Sequence, residues 1–436
     1  MAKDDLRYIK LYNYYKDLIV SGKLEKGTRL PSIRRCCELN CVSKTTVEQA
    51  YMLLCDDGYV IPKSQSGYYV SGRETGRSVK SDVEGAADRD TSPVSDYTST
   101  GVDSEVFDLN LWTRYVKRAL RMDYRLTEYG NPQGEEDLRE QIARYVTKNR
   151  NCVCSAENVV IGAGVQTLLN LLCALIGQSK RKVFFLDTSY RQGVAVFKNR
   201  GFTLTDRQEN ADILYVSPSH STRWGEIMSV HDRHALTDFV KGSDRLIIED
   251  DYDSEFRDIS RPTPSLQGLD SDRVVYIGTF SKLLLPSIRI SYMILPDYLL
   301  GKYKAVSCTY SQTVSIPDQI ALSQFISDGR LSSQIRRARR IYYQKSKLLC
   351  DALANELGDS VEIEKLPTPL YVKCRIRTEV SLDTLTKRLV GGERKMKIIP
   401  VSQSGGEAVI AFSVSAVGSD SISDDIRLLS SCLKTS

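Results

Sequence analysis

Apolar residues in the first seventy positions recur at helical and then at alternating spacing. Over residues 8–20, Ile9, Leu11, Tyr12, Tyr15, Leu18 and Ile19 form one face, and Ser21-Gly22 ends the run, so the pattern predicts a helix. Pro31-Ser32 opens a shorter helix to about Leu39, and Asn40-Cys41 forms a tight turn. Ser43 then N-caps a helix whose apolar face is Val47, Ala50, Tyr51 and Leu54 and which stops at Asp57-Gly58. Residues 59–70 predict a β-hairpin with Ser66-Gly67 near its tip. Helix, short turn, helix and hairpin describe a winged helix-turn-helix, which places the polar start of the second helix in a major groove. A small helical bundle whose hairpin docks on the rest of the chain has the same pattern.

The period is then lost. Residues 71–105 scatter isolated valines among small, charged and polar residues, as a flexible tether does. From residue 106 onward helices and strands alternate. A helix over about 110–121 precedes Y-G-N-P-Q-G and an amphipathic helix, and V-V-I-G-A-G passes from a strand directly into a third helix. Short apolar runs at 183–186, 213–216, 246–248 and 274–277 read as buried strands, with another at 408–415. Alternation of this kind predicts an α/β domain, 106–436, with a mostly parallel central sheet, a smaller C-terminal α/β subdomain, and a site at the carboxyl ends of the strands.

Composition narrows the class only slightly. The 436 residues are 41% hydrophobic, with 60 Lys and Arg against 55 Asp and Glu, a net charge of +5 that would not by itself nominate a nucleic-acid binder. Residues 1–70 carry 11 Lys and Arg against eight Asp and Glu, a lean toward DNA. No run approaches the roughly 18 apolar residues of a membrane helix, and M-A-K-D-D-L-R lacks the apolar core of a signal peptide, so a cytoplasmic protein is expected. The 11 Cys have neither disulfide-scaffold nor zinc-finger spacing, and three His are too few for a metal site.

Chemistry concentrates in residues 245–296. The strand at 246–248 is expected to deliver Asp250 and Tyr252 at its carboxyl end, and the strand at 274–277 to deliver Thr279, Ser281 and Lys282, with Arg289 seven residues beyond. A buried acid, a phenol, two hydroxyls, a lysine and an arginine are what pyridoxal 5'-phosphate requires. The lysine forms a Schiff base, the acid keeps the pyridine nitrogen protonated, and hydroxyls with arginine hold the phosphate. A lone surface lysine after a core strand is the bland alternative. Gly162 and Gly164 at a helix start suit an anion, although such glycines also serve merely to let a helix pack on a sheet. Tyr190 stands where an aromatic ring could face a cofactor.

L-P-S-I-R followed by V-S-K-T-T-V-x-x-A-Y-x-x-L-x-x-x-G-Y resembles the winged helix of the GntR regulator family. The resemblance implies that Arg34, Ser43, Lys44, Thr45 and Thr46 meet double-stranded DNA, with Gly67 at the wing tip. Some relatives carry Arg where this chain has Glu48. The motifs Y-G-N-P-Q-G, P-S-H, I-I-E-D-D-Y-D-S-E-F-R, Y-I-G-T-F-S-K and P-S-I-R-I-S-Y resemble the fold-type I aminotransferases, and the whole chain resembles the MocR/GabR subfamily. That resemblance implies Lys282 as the Schiff-base lysine, Asp250 as the pyridinium partner and Tyr252 near the cofactor's 3-oxygen. It implies Tyr190 near the ring, and Gly164, Val165, Gln166, Thr279, Ser281 and Arg289 around the phosphate. It also implies a homodimer. Two departures stand out: Ser221-Thr222-Arg223-Trp224-Gly225 replaces the usual N-P-T-G, and the strand at 408–415 lacks the late Arg that holds a substrate carboxylate. Arg191 and Arg223 are the candidate substitutes, each otherwise a solvated surface residue. The expected function is a transcription regulator that senses the cofactor or an amine effector through Lys282. The alternative is a working aminotransferase with a DNA-binding head.

Overall fold

The computed structural model describes residues 7–40, 42–63, 66–71, 94–103, 105–121, 123–177, 181–222, 224–257 and 264–434. It divides into two compact units, residues 1–91 and 92–436.

The first unit holds α1 (Arg7–Val20), α2 (Ile33–Asn40) and α3 (Lys44–Asp56), followed by β1 (Val60–Lys63) and β2 (Gly67–Val70), which pair antiparallel. Leu11, Tyr12, Tyr15, Cys36, Val47, Ala50, Tyr51 and Leu54 are in its core; the predicted face of α3 is buried throughout, whereas in α1 Leu18 and Ile19 are partly buried and Ile9 lies outside the cluster. Asn40 is the last helical residue of α2 rather than part of the turn, its side-chain amide donating to the Cys36 carbonyl at 3.0 Å. The Ser43 hydroxyl accepts from the Thr46 amide at 3.2 Å, which caps α3.

The second unit starts earlier than the sequence pattern suggests. β3 (Val94–Asp96) pairs parallel with β13 (Lys395–Lys397), and Tyr97 is fully buried with its hydroxyl donating to Asp425 at 2.9 Å. The tether expected over 71–105 therefore does not extend across 94–103. Most of it, 72–93, lies outside the described residues.

The central sheet contains β4 (Val159–Gly162), β5 (Lys182–Phe185), β6 (Thr203–Leu204), β7 (Ile213–Val216), β8 (Leu246–Asp251), β9 (Val274–Thr279) and β10 (Ser291–Ile294). Their order is β4-β10-β9-β8-β7-β5-β6, parallel from β9 to β6, with β10 antiparallel to both of its neighbours. The expected mostly parallel sheet is thus present, with one reversed strand inside it. Both faces are covered by apolar clusters, which is why the strands read as continuous apolar runs.

A smaller antiparallel sheet follows in the order β11 (Val361–Glu364), β12 (Tyr371–Arg377), β15 (Glu407–Ser413), β14 (Ile399–Ser404). Helices Arg330–Leu357, Leu382–Val390 and Ile422–Leu433 accompany it, forming the expected C-terminal subdomain. None of the described helices is long and apolar enough to cross a membrane.

Candidate functional site

The acids of E-D-D lie inside β8, not beyond its end. The strand continues through Asp251, whose backbone pairs with Gly278. Alternation then sorts the side chains. Leu246 and Ile248 join the apolar cluster on one face and Ile247 the cluster on the other, so Asp250 shares a face with Ile248. On the opposite face Asp251 pairs with Arg150 at 2.7 Å and accepts from Tyr276 at 2.6 Å, and the guanidinium holds its carboxyl below the usual range although burial alone would raise it. Asp250 has no such cation among the described residues. Its Oδ2 accepts from the Tyr215 hydroxyl at 2.6 Å, and its Oδ1 has no hydrogen-bond partner among the described residues. Burial pushes its carboxyl up to about 7.

Asp250 lies on a cavity of about 180 Å³ shared with Val165, Tyr190, Tyr215, His220 and Tyr252. The rings of Tyr190 and Tyr215 stack with centroids 6.0 Å apart, and Gly193 leaves room for Tyr190, since a Cβ there would sit 2.4 Å from its ring. Burial raises the Tyr252 phenol, so the group stays protonated. The His220 ring lies 4.7 Å from that of Tyr252 and is bonded to Asp253 at 2.6 Å.

Lys282 follows β9 by three residues, and its ammonium donates to the Thr100 carbonyl at 2.8 Å. Burial is the main influence and lowers its pKa to about 8, while Asp253 opposes the shift. A neutral carbonyl and a distant acid leave this amine easier to deprotonate than an ordinary lysine.

The start of helix Val165–Ile176 suits an anion, since its N-cap Gly164 supplies no side chain to the first amides. Gly164 has φ +90°, and a Cβ there would fall 2.2 Å from a terminal nitrogen of Arg289. Arg289 itself adopts a left-handed backbone, φ 56°, which for a non-glycine residue costs on the order of 1 kcal/mol and fixes its guanidinium beside the helix start. The Thr279 hydroxyl donates to Ser281 at 3.1 Å and accepts from the Ser291 hydroxyl at 2.9 Å. The structure thus juxtaposes Gly164 with Arg289 and puts Val165, Tyr190, Asp250 and Tyr252 on one cavity. Thr279, Ser281 and Lys282 cluster at the end of β9. These residues fit the cofactor on three counts: an uncompensated buried carboxylate, bare helix amides beside a guanidinium, and a desolvated lysine.

In the first unit Arg34 and Lys44 are strongly exposed, with side-chain accessibilities of 92% and 76%, and each faces a glutamate one turn away, Glu38 at 3.7 Å and Glu48 at 3.5 Å. Thr45 is exposed, whereas the Ser43 and Thr46 hydroxyls are bonded to each other at 2.8 Å. Gly67 begins β2 opposite Lys63, beside the hairpin tip, with φ +105°. Of the arginines considered as carboxylate clamps, Arg191 is exposed and Arg223 lies outside the described residues. β15 contains no arginine.

Sequence reasoning missed three participants. Tyr215 reads as an ordinary core residue of I-L-Y-V, and Thr100 belongs to a stretch without period. His220 was legible only as part of the P-S-H motif.

Residues 7–70 match the model of the bacterial regulatory proteins of the gntR family, and residues 107–216 match that of aminotransferase class I and II. The chain is 35% identical over 426 residues to the HTH-type transcriptional regulator YdeL of Bacillus subtilis, spanning 91% of this chain and 89% of that protein. It is 34% identical to YhdI of the same organism, over 98% of this chain and 95% of that one. The probable rhizopine catabolism regulatory protein MocR of Rhizobium meliloti is 28% identical over 88% of this chain and 84% of its own length. Among solved structures, an archaeal alanine:glyoxylate aminotransferase superposes with a TM-score of 0.67 at 20% identity, covering 78% of this chain and 91% of that one, a likeness of fold. A regulator-type winged helix, an aminotransferase-type second unit and regulator relatives aligned over nearly the whole chain place this chain in the MocR/GabR-type subfamily of GntR transcriptional regulators.

Proposed function

We propose that the second unit holds pyridoxal 5'-phosphate and reads an amine or amino-acid-like effector through it, and that this controls how the winged helix engages operator DNA. The observation that supports the reading is Asp250: a buried carboxylate that, among the described residues, has no cation paired with it and one oxygen unpartnered, on the wall of a cavity at the strand ends. A protonated ring nitrogen would supply the missing donor and charge. Bound there, the cofactor offers a carbonyl carbon to amines and an electron-withdrawing ring.

The chain's own residues divide the remaining work. Lys282 would hold the cofactor through its amine, and the protonated Tyr252 phenol would offer it a hydrogen-bond donor. Tyr190 would offer it an aromatic face, and the amides of Gly164, Val165 and Gln166 with Thr279, Ser281 and Arg289 would hold its phosphate. Lys282, whose amine donates to the Thr100 carbonyl, would be the chain's own amine at that carbonyl carbon. Arg34 and Lys44 contact phosphates or guanine edges, while Ser43, Thr45 and Thr46 fix register on the backbone and Gly67 shapes the wing. A homodimer matches paired half-sites. Residual transamination of α-amino acids is weak in this account, because β15 has no arginine to clamp a carboxylate.

The test is fluorescence anisotropy of the purified protein on DNA from upstream of its own gene, with and without pyridoxal 5'-phosphate and a panel of amines. Specific binding that changes with cofactor or amine supports the reading. Binding indifferent to both removes it.

A further inference from the structure

A second, larger cavity of about 670 Å³ opens between helix Arg330–Leu357 and the segment 363–372 that leads into β12. Its size is within the roughly 300–1,000 Å³ of small-molecule sites. Four cations line it: Arg257 from the loop after β8, Arg339 and Arg340 from the long helix, and Lys365. The acid on its wall, Glu364, is held by Lys373 at 2.7 Å. None of the four cations lines the cavity at Asp250, although Tyr371 on the wall of the larger one lies 6.2 Å from the His220 ring.

Arg257 is the decisive residue. It is 7% exposed, yet the acid paired with it, Asp253, stands 3.9 Å away, beyond hydrogen-bond range. That carboxylate gives its other oxygen to His220 at 2.6 Å. Burial lowers the guanidinium's pKa despite the nearby acids, the sign of a buried cation short of compensation. The Arg257 guanidinium carries five N–H donors in a fixed fork on the cavity wall, where the one acid among the lining residues, Glu364, is already paired with Lys373. Beside them Ile363, Leu366 and Tyr343 offer an apolar wall.

We infer that this cleft binds a small organic carboxylate, with the acid group on Arg257 and Arg340 and an aromatic or branched body against Ile363, Leu366 and Tyr343. The site is separate from the cofactor and does not depend on Lys282.

Isothermal titration of the full-length protein with phthalate, inorganic phosphate and benzamide tests this. Phthalate binds, phosphate binds more weakly, and benzamide, which lacks the charge, does not bind. Arg257→Gln weakens phthalate by roughly tenfold or more, the scale of one lost charge-assisted contact. Arg340→Gln, at an exposed position that does not endanger folding, weakens it by about threefold and decides the question should the Arg257 variant fail to fold. Lys282→Ala and Arg289→Gln leave the isotherm unchanged, so a failure of the cofactor reading does not touch this result. The inference is overturned by an absence of phthalate binding, by equal binding to the parent, Arg257→Gln and Arg340→Gln, by benzamide or phosphate binding as tightly as phthalate, or by loss of phthalate binding in Lys282→Ala or Arg289→Gln.

Discussion

Lys345 and Lys282 both reach the segment 94–103, through which the second unit begins. Lys345, fully buried on helix Arg330–Leu357, is ion-paired to Asp103 and donates to the Val417 carbonyl at 2.8 Å. Lys282, half-buried after β9, donates to the neutral Thr100 carbonyl and has no ion pair among the described residues. A carboxylate compensates the first charge and makes it a structural tie. The second sits beside a neutral oxygen, and burial lowers its pKa to about 8 against the opposing pull of Asp253, which suits the Schiff-base role proposed for it. Position on a fold does not separate a structural lysine from one proposed to react; the counter-charge does.

Four perturbations sharpen or break that contrast. The largest effect is expected from Lys282→Ala, which abolishes the visible absorbance band of lysine-bound cofactor while shifting unfolding free energy by less than about 1 kcal/mol. A retained band breaks the comparison. Lys345→Met does the reverse. It leaves Asp103 uncompensated and costs about 3–5 kcal/mol in denaturant unfolding, and adding Asp103→Leu recovers most of that loss. If the single substitution is silent, the tie is not one. Next comes Arg289→Gln, expected to weaken pyridoxal 5'-phosphate binding by roughly 10- to 100-fold at equilibrium dialysis; an unchanged affinity would remove Arg289 from the phosphate cradle.

The smallest effect is in pH. Only the neutral amine attacks a carbonyl, and burial lowers the Lys282 pKa from its ordinary 10.5 to about 8. Stopped-flow capture of the cofactor should therefore accelerate by roughly tenfold per pH unit up to about 8 and then level off. Acceleration continuing past pH 10 would mean that the lysine is not desolvated in solution. The Lys345→Met variant, where it folds, should keep the same profile.

Much of this architecture was legible in the chain, for identifiable reasons. The helices of the first unit bury most of the residues their spacing nominated, because each packs with one face only; in α1 Leu11, Tyr12 and Tyr15 are buried, Leu18 and Ile19 partly so, and Ile9 stays outside the cluster. The parallel strands were visible as apolar runs because both sheet faces are covered. What escaped was structure specified by few contacts at long range. Val94–Asp96 forms a three-residue strand in a polar stretch, and its partner is some 300 positions away, so no local period marks it. Tyr97 was the one aromatic that could have signalled burial there. The acids of β8 hid the strand's true end, because charged residues in a strand are read as its boundary unless their partners are known. Asp251 and Asp250 differ in role through Arg150 and Tyr215, both distant in sequence. The nomination of Asp250 and Lys282 needed only residue order, whereas the physical distinction between Lys282 and Lys345 needed Thr100 and Asp103.

The central claim is tested most directly by locating the covalent bond. The full-length protein, incubated with pyridoxal 5'-phosphate, reduced with borohydride and digested, should carry the pyridoxyl mass on the peptide containing Lys282 and on no other. Labelling of a different lysine, Lys345 included, or of none, would contradict the account.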